Sequence, residues 1–565
     1  GTVGVIPQEH NLRKLSEKRA LAGDLIVMAG GRVGKDGIHG ATFSSEALDP
    51  QSPVTAVQIG DPITQKKFSD VIVKEARDLS LYRSITDNGA GGISCSVAEM
   101  ARECNGCRVT LEAVPLKYPG MAPWEIWISE SQERMTLAVP KEKVAAFLEL
   151  MQRRDVEATV IGEFTESGRC VVEYHGNVVM DIDLAFLHDG LPKKHLKTTY
   201  TKKVFPEPDI PCPDRLDSTM HAMLRRKNIC SKEFISIQYD HTVQGGHVLG
   251  PVQGKGRVQA MASLTKVVPG SRKGVGLSQG MFPAYSEIDP YLMAGAAIDT
   301  AIRGLIALGI SLDRIAILDN FCWCSSDDPE RLGQLKLAAR GCYDTAVVFG
   351  TPFISGKDSM FNDFTGFDEN NHPVKISVPP TLLISSIGIH DDVVKSVSMD
   401  AKVEGDLVYV IGETSEELGG SEYFDYLGSV GNTVPKPDPA RAKERYRKIT
   451  EAIAHDLVVS AFPVTLGGLG IALAKVAIAG ELGMDLTIPK TRLRPDYFLF
   501  SESLGRFVVT VAPDNKRAFE RALGTDVHLL GRVHGTSLRI TAESMLLDVP
   551  VSELTNSYKA PFGRY

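Results

Sequence analysis

Two stretches of this chain repeat one another in order, and a tandem copy constrains the fold more tightly than composition does. Gly23-Asp24-Leu25-Ile26-Val27-Met28 returns as Gly405-Asp406-Leu407-Val408-Tyr409-Val410, each opening an apolar strand. Gly91-Gly92-Ile93 returns as Gly467-Gly468-Leu469, ahead of an Ala-rich stretch of helical period. Ser129-Glu130-Ser131 returns as Ser501-Glu502-Ser503, and Ile161-Gly162 as Leu530-Gly531. The offset between partners drifts through 382, 376, 372 and 369, as diverged copies with small loop deletions require.

A different unit lies between the copies, entered through the Pro-rich linker Phe205–Asp214, which lacks donors and favours extended chain. Its pattern alternates. Residues 235–239 (ISIQY), 315–318 (IAIL), 346–349 (AVVF) and 381–389 (TLLISSIGI) read as strands. Helices are expected from the Asp289-Pro290 cap to about Leu308, and over 329–341. The alternation implies α/β and α+β layers around a mixed sheet. The units expected are 18–203, the linker 204–214, 215–395 and 396–565. By the symmetry of an alternating plan, residues 1–17 would be the last strand of a first copy of the middle unit.

With 565 residues the chain needs several cores, so three or four domains are expected. The net charge of −8 argues against a nucleic-acid partner, and no apolar run reaches the length of a membrane span. The N-terminus carries no signal-peptide pattern. Nine cysteines without framework spacing suit a reducing cytoplasm. Cys104 and Cys107 form a CxxC with no second pair and no His cluster, which leaves two ordinary thiols.

The densest glycine cluster, Gly30 to Gly40, carries Arg32 and Lys35. Glycines let backbone amides approach a phosphate without a Cβ in the way, although a loop needing positive φ uses the same residues. In Thr86–Gly92 (TDNGAGG), Asp87 stands beside a Gly-rich turn at a helix start. That arrangement holds Mg²⁺ and phosphate together, or simply caps the turn. Glu130, Ser131 and Gln132 precede a strand and suit a sugar hydroxyl, an amide or a loop network; Gln58 in VQIGDP has the same readings. In the middle unit, Asp319 ends the IAIL strand, and Gly356, Lys357 and Ser359 follow the AVVF strand. Polar groups at the carboxyl ends of neighbouring strands are where such layers hold ligands; a solvated turn is the other reading of Lys357. Asp240 ends ISIQY and is a candidate metal contact.

In that order, GGRVGKDGIHGATFSS, VQIGDP, TDNGAGG, SESQERM, LDNFCW and SGKDSM resemble the formylglycinamide ribonucleotide amidotransferase (phosphoribosylformylglycinamidine synthase) family. The resemblance runs along essentially the whole chain. It implies tandem units like those of aminoimidazole ribonucleotide synthase, an α/β N-type and an α+β C-type, with an internal pseudo-twofold repeat. It also implies an ATP-dependent carbon–nitrogen ligase of purine biosynthesis. ATP would phosphorylate the amide oxygen of formylglycinamide ribonucleotide, and ammonia from glutamine would displace phosphate from the iminophosphate. By motif match, Gln58, Glu130, Ser131, Gln132 and Ser359 would contact the substrate, and Asp319, Gly356 and Lys357 would contact ATP. Asp87 and Asp240 would bind Mg²⁺. Lys357 stands where many members carry a metal-binding Asn.

Three departures bear on these expectations. The family's catalytic His and first Mg²⁺ carboxylates belong to a first N-type unit, and this chain has no His-x-His, so full turnover by the chain alone is not expected. No cysteine sits in a nucleophile elbow, so ammonia would come from a glutaminase subunit or domain. In the second copy, Thr300 and Gly304 replace oxygen ligands of relatives and Pro463 takes the place of Asp87, so that site should hold no metal. The competing readings are a non-catalytic nucleotide-binding or docking module, and another synthetase of the superfamily.

Overall fold

The computed structural model describes residues 9–10, 13–14, 17–43, 46–50, 60–238, 241–242 and 245–563. The chain forms two compact units, residues 1–196 with 361–376, and residues 197–360 with 377–565.

The first unit is built on a seven-stranded sheet in the order Ser84–Asp87, Arg134–Val139, Leu25–Gly30, Ala158–Phe164, Cys107–Thr110, Arg169–Tyr174, Asn177–Asp183. Its central strand is buried on both faces because its residues alternate. Ile26 and Met28 pack with the helix Gly92–Ala101, while Val27 and Ala29 pack with Pro62–Val71 and Val144–Arg153.

The second unit contains the same sheet again, in the order Ser460–Pro463, Phe507–Val511, Leu407–Ile411, Val527–Val533, Met484–Thr487, Ser537–Thr541, Met545–Pro550. The copies share their irregularities. The pairing slips between Ile26 and Val27 in one and between Val408 and Tyr409 in the other. Here Val408 and Val410 face one core, and Tyr409 and Ile411 face another that continues into the middle unit. The tandem arrangement expected from the sequence is the one observed.

The middle unit is a six-stranded mixed sheet, His247–Leu249, Ala262–Thr265, Gly274–Met281, Thr381–His390, Ile315–Cys322, Phe353–Ser359. The helix Pro290–Ala307, capped by Asp289, is buried along nearly its whole length. The Pro-rich linker has its carbonyls captured: Asn432 Nδ2 donates to Phe205 O at 2.6 Å, and Arg494 donates to Ile210 O and Pro211 O at 2.9 and 3.0 Å.

Two expected strands are not formed over their described residues. AVVF ends the helix Pro329–Phe349, because Ala338, Cys342, Ala346 and Phe349 bury one helical stripe while Val347 and Val348 face solvent. In ISIQY, the helical turn Glu233–Ser236 is started by Ser231, whose hydroxyl accepts from Glu233 N at 3.3 Å, and Ile235 is exposed. The strand expected at AVVF is instead Phe353–Ser359, an exposed edge without apolar alternation. No helix among the described residues is long and apolar enough to cross a membrane.

Candidate functional site

Three strands of the first sheet bring their loops to one end. Asp87 pairs with Met135 and Gly30 with Arg134, so the turns after Asp87 and Gly30 meet the turn that leads into Arg134. Glu130 sits at the meeting point. Its Oε1 accepts from Gly91 N at 2.9 Å and its Oε2 from Ala41 N at 2.8 Å, tying the helix Gly92–Ala101 to the glycine-rich loop. Gly92, at φ 58°, is obligatory, since a Cβ there would lie 1.9 Å from Ser129 O.

Ser129 and Ser131 form a buried bracket for the loop, their hydroxyls 3.1 Å apart. Ser129 Oγ donates to Gly34 O at 2.7 Å, and Ser131 Oγ accepts from Gly34 N at 3.0 Å. Burial works to raise the Asp36 carboxyl, but hydrogen bonds from Lys117 at 2.8 Å and Ser131 at 3.0 Å hold it below the ordinary range. Arg134, buried beneath, donates to Ser131 O at 2.8 Å, and burial pushes its guanidinium down to about 10. Gln132 is exposed, its amide donating to Glu130 O at 3.2 Å.

Asp87 is exposed at the mouth of this assembly. The surroundings are electronegative: burial, then Glu99, Asp87 and Glu130, push the Cys95 thiol up to about 11. A lone exposed carboxylate with nearby helix amides fits Mg²⁺ shared with phosphate oxygens and water. It does not make an all-protein cage, and no group of three His, Cys, Asp or Glu among the described residues would hold a metal. A cavity of about 710 Å³ opens on the other side of Gly30 and Gly31, but its Arg32 and Lys67 are paired to Glu157 and Asp155, so its charges are spent internally.

In the second unit, Asp319 lies opposite Gly356 on neighbouring parallel strands, and Cys322 opposite Ser359. A Cβ on Gly356 would stand 2.6 Å from Asp319 Oδ1, so glycine alone lets the carboxylate lie across that strand. Burial and the charge of Asp358 raise Asp319 above the usual carboxylate range. Lys357 Nζ donates to Ser359 Oγ at 3.2 Å. Asp319 thus stands on one strand and Gly356, Lys357 and Ser359 on its edge neighbour, where successive side chains point to opposite faces. Gln58 and Asp240 lie outside the described residues.

The second repeat rebuilds the bracket. Ser501 and Ser503 are 3.1 Å apart, and Glu502 Oε1 accepts from Gly467 N at 2.8 Å and Glu422 N at 3.0 Å. Glu502 Oε2 also takes the Tyr285 hydroxyl, and burial pushes the carboxyl up to about 7. Asp36, Arg134 and Arg303 were not singled out from sequence. Asp36 stands inside the glycine cluster and Arg134 inside the SESQERM motif, which were the available signals for the first two.

Residues 22–175 and 403–542 match the family model described as AIR synthase related protein, C-terminal domain. The PurL subunit of phosphoribosylformylglycinamidine synthase from Methanocaldococcus jannaschii is 33% identical over 549 residues, spanning 94% of this chain and 72% of its own length. The chain belongs to the PurL family. The PurL subunit of Methanothermobacter thermautotrophicus is 32% identical over 573 residues, covering 100% of this chain and 76% of that one. Thermotoga maritima PurL complexed with FGAR superposes with a TM-score of 0.64 at 22% identity, over 92% of this chain and 73% of that one. That likeness bears on the fold, and the PurL architecture is the tandem one described above.

Proposed function

We propose that this PurL-family chain is the synthetase component that amidates formylglycinamide ribonucleotide at the expense of ATP, in the cytoplasm, with ammonia delivered by a glutaminase subunit or domain. The observation that carries this reading is the Glu130 tether, which joins the glycine-rich loop at Ala41 to the turn at Gly91 that follows Asp87. Phosphoryl transfer asks a protein mainly for positioning and neutralised charge.

On this reading Glu130 fixes the amides of Gly91 and Ala41, and Ser131 with Asp36 fixes the loop, so the site is preorganised before ligand arrives. Gln132 and Gln58 offer polar contacts to the ribonucleotide, as does Ser359. Asp319, Gly356 and Lys357 form the contact edge for ATP. Asp87 would hold Mg²⁺, which when bound supplies neutralisation of phosphate charge, and Asp240 is a separate candidate metal contact. The same reading assigns 18–203 and 396–565 to C-type units and 215–395 to the N-type unit. Free thiols throughout the described cysteines suit the reducing compartment.

The test is phosphate release from ATP that depends on formylglycinamide ribonucleotide, with ammonium or a glutaminase partner supplied. Asp87→Ala is expected to lower kcat/KM by about 100-fold or more. An unchanged value would remove Asp87 from the site.

A further inference from the structure

Both repeats carry the same serine–glutamate bracket, but the second has a cation built into it. In the first repeat Asp87 pairs with Met135; in the second Pro463 pairs with Phe507. The residue that follows bonds back alike in both copies, Asn88 N to Arg134 O at 3.2 Å and Val464 N to Arg506 O at 2.9 Å. The carbonyls of Val464 and Arg506 then accept from Arg303 Nη1, the second at 3.4 Å. Arg303 Nε donates to Asp299 Oδ2 at 2.6 Å, and Nη2 to Thr300 Oγ1 at 2.9 Å. Asp299 also accepts from the Tyr446 hydroxyl and, at 3.4 Å, from Gly505 N. Arg303 has 0% exposure and Asp299 2%.

A carboxylate, a hydroxyl and two carbonyls make an oxygen seat of the kind that suits a hard divalent cation. Here one guanidinium fills it, and its planar fork matches acceptors spread over two elements. Arg303 pairs with Asp299 at 2.6 Å, so this carboxylate is already engaged by a cation. Thr300 and Pro463 add no negative charge.

We propose that Arg303 is an internal cation that closes the second repeat's copy of the site, leaving the chain with one nucleotide–metal site rather than two. This rests on the reading of Asp87 as the metal contact of the first copy. The closure also makes the second copy a fixed support that needs no bound ligand to hold its shape.

The test is to replace Arg303 and offer its head group back. Arg303→Ala leaves the Asp299 carboxylate buried and unpaired, and the melting temperature is expected to fall by roughly 5 °C or more. Low-millimolar guanidinium chloride is expected to raise it again, where equal sodium chloride or urea does not. Calorimetry of Mg-AMPPCP on the wild-type chain is expected to give one site. A stoichiometry of two, an Arg303→Ala chain as stable as wild type, or guanidinium acting no better than sodium overturns the proposal. A stoichiometry of zero defeats the Asp87 reading and leaves the guanidinium result to decide the closure. Should Arg303→Ala fail to fold, Asp299→Asn with Arg303→Met removes both charges at similar volume. That pair is expected to fold and keep the wild-type stoichiometry, and its failure to fold overturns the proposal.

Discussion

Glu130 and Glu502 occupy the same place in the two repeats and sit in opposite surroundings. Glu130 is half-buried and accepts from two amides, whereas Glu502 is fully enclosed and takes Tyr285 as well. Removing either acceptor strands backbone donors, at about 1–3 kcal/mol for each group left buried. Glu502 adds a pH dependence. Its carboxyl rises from 4.5 to about 7 on folding, so the stability it contributes is fully present below pH 4.5 and is lost as pH rises through about 7. Over that window wild type is expected to lose about 3 kcal/mol relative to Glu502→Gln, read from denaturant melts at pH 4.5 and 8. A pH-independent difference between the two proteins would contradict the buried-carboxyl reading.

At the scale of elements, the turn into the helix Gly92–Ala101 is the tightest joint of the candidate site. Gly92→Ala forces a Cβ onto Ser129 O and is expected to cost about 2 kcal/mol or more, with loss of the loop's ligand affinity. Gly120→Ala, also at positive φ but with nothing within 4 Å of the new Cβ, is expected to cost about 1 kcal/mol. Comparable melting temperatures for the two would show that the joint is loose. The sheets were legible because continuous apolar runs such as LIVM and LVYV pack on both faces, and because paired glycines mark the same turn twice. AVVF was misread because β-branched residues at a helix end mimic a strand, and only the burial of Phe349 and Ala346 tells them apart. FISGKDS is a strand that hides its nature by standing exposed at the sheet edge. Arg303 was not legible at all. It shares an apolar helix with Asp299, four residues before it, but its carbonyl partners lie in Val464 and Arg506, far along the chain.

For the whole molecule, two copies of one scaffold are present, and they differ in what stands at the end of the first sheet strand. The first copy keeps an exposed Asp87 before a preorganised loop; the second has Pro463 and a guanidinium in the corresponding space. The motifs made the family recognisable because loop geometry fixes their glycines and serines. Thr300, Gly304 and Pro463 already point to one copy in the sequence, whereas the guanidinium in the buried seat is read from the structure. The most direct measurement is a calorimetric titration of formylglycinamide ribonucleotide into wild type, Asp87→Ala, Glu130→Ala and Arg303→Ala at matched Mg-AMPPCP. The account predicts binding weakened by about tenfold or more in Glu130→Ala, where the loop tether is cut, and retained in Arg303→Ala once guanidinium restores its fold. Equal affinity in wild type and Glu130→Ala, or loss confined to Arg303→Ala, would contradict it.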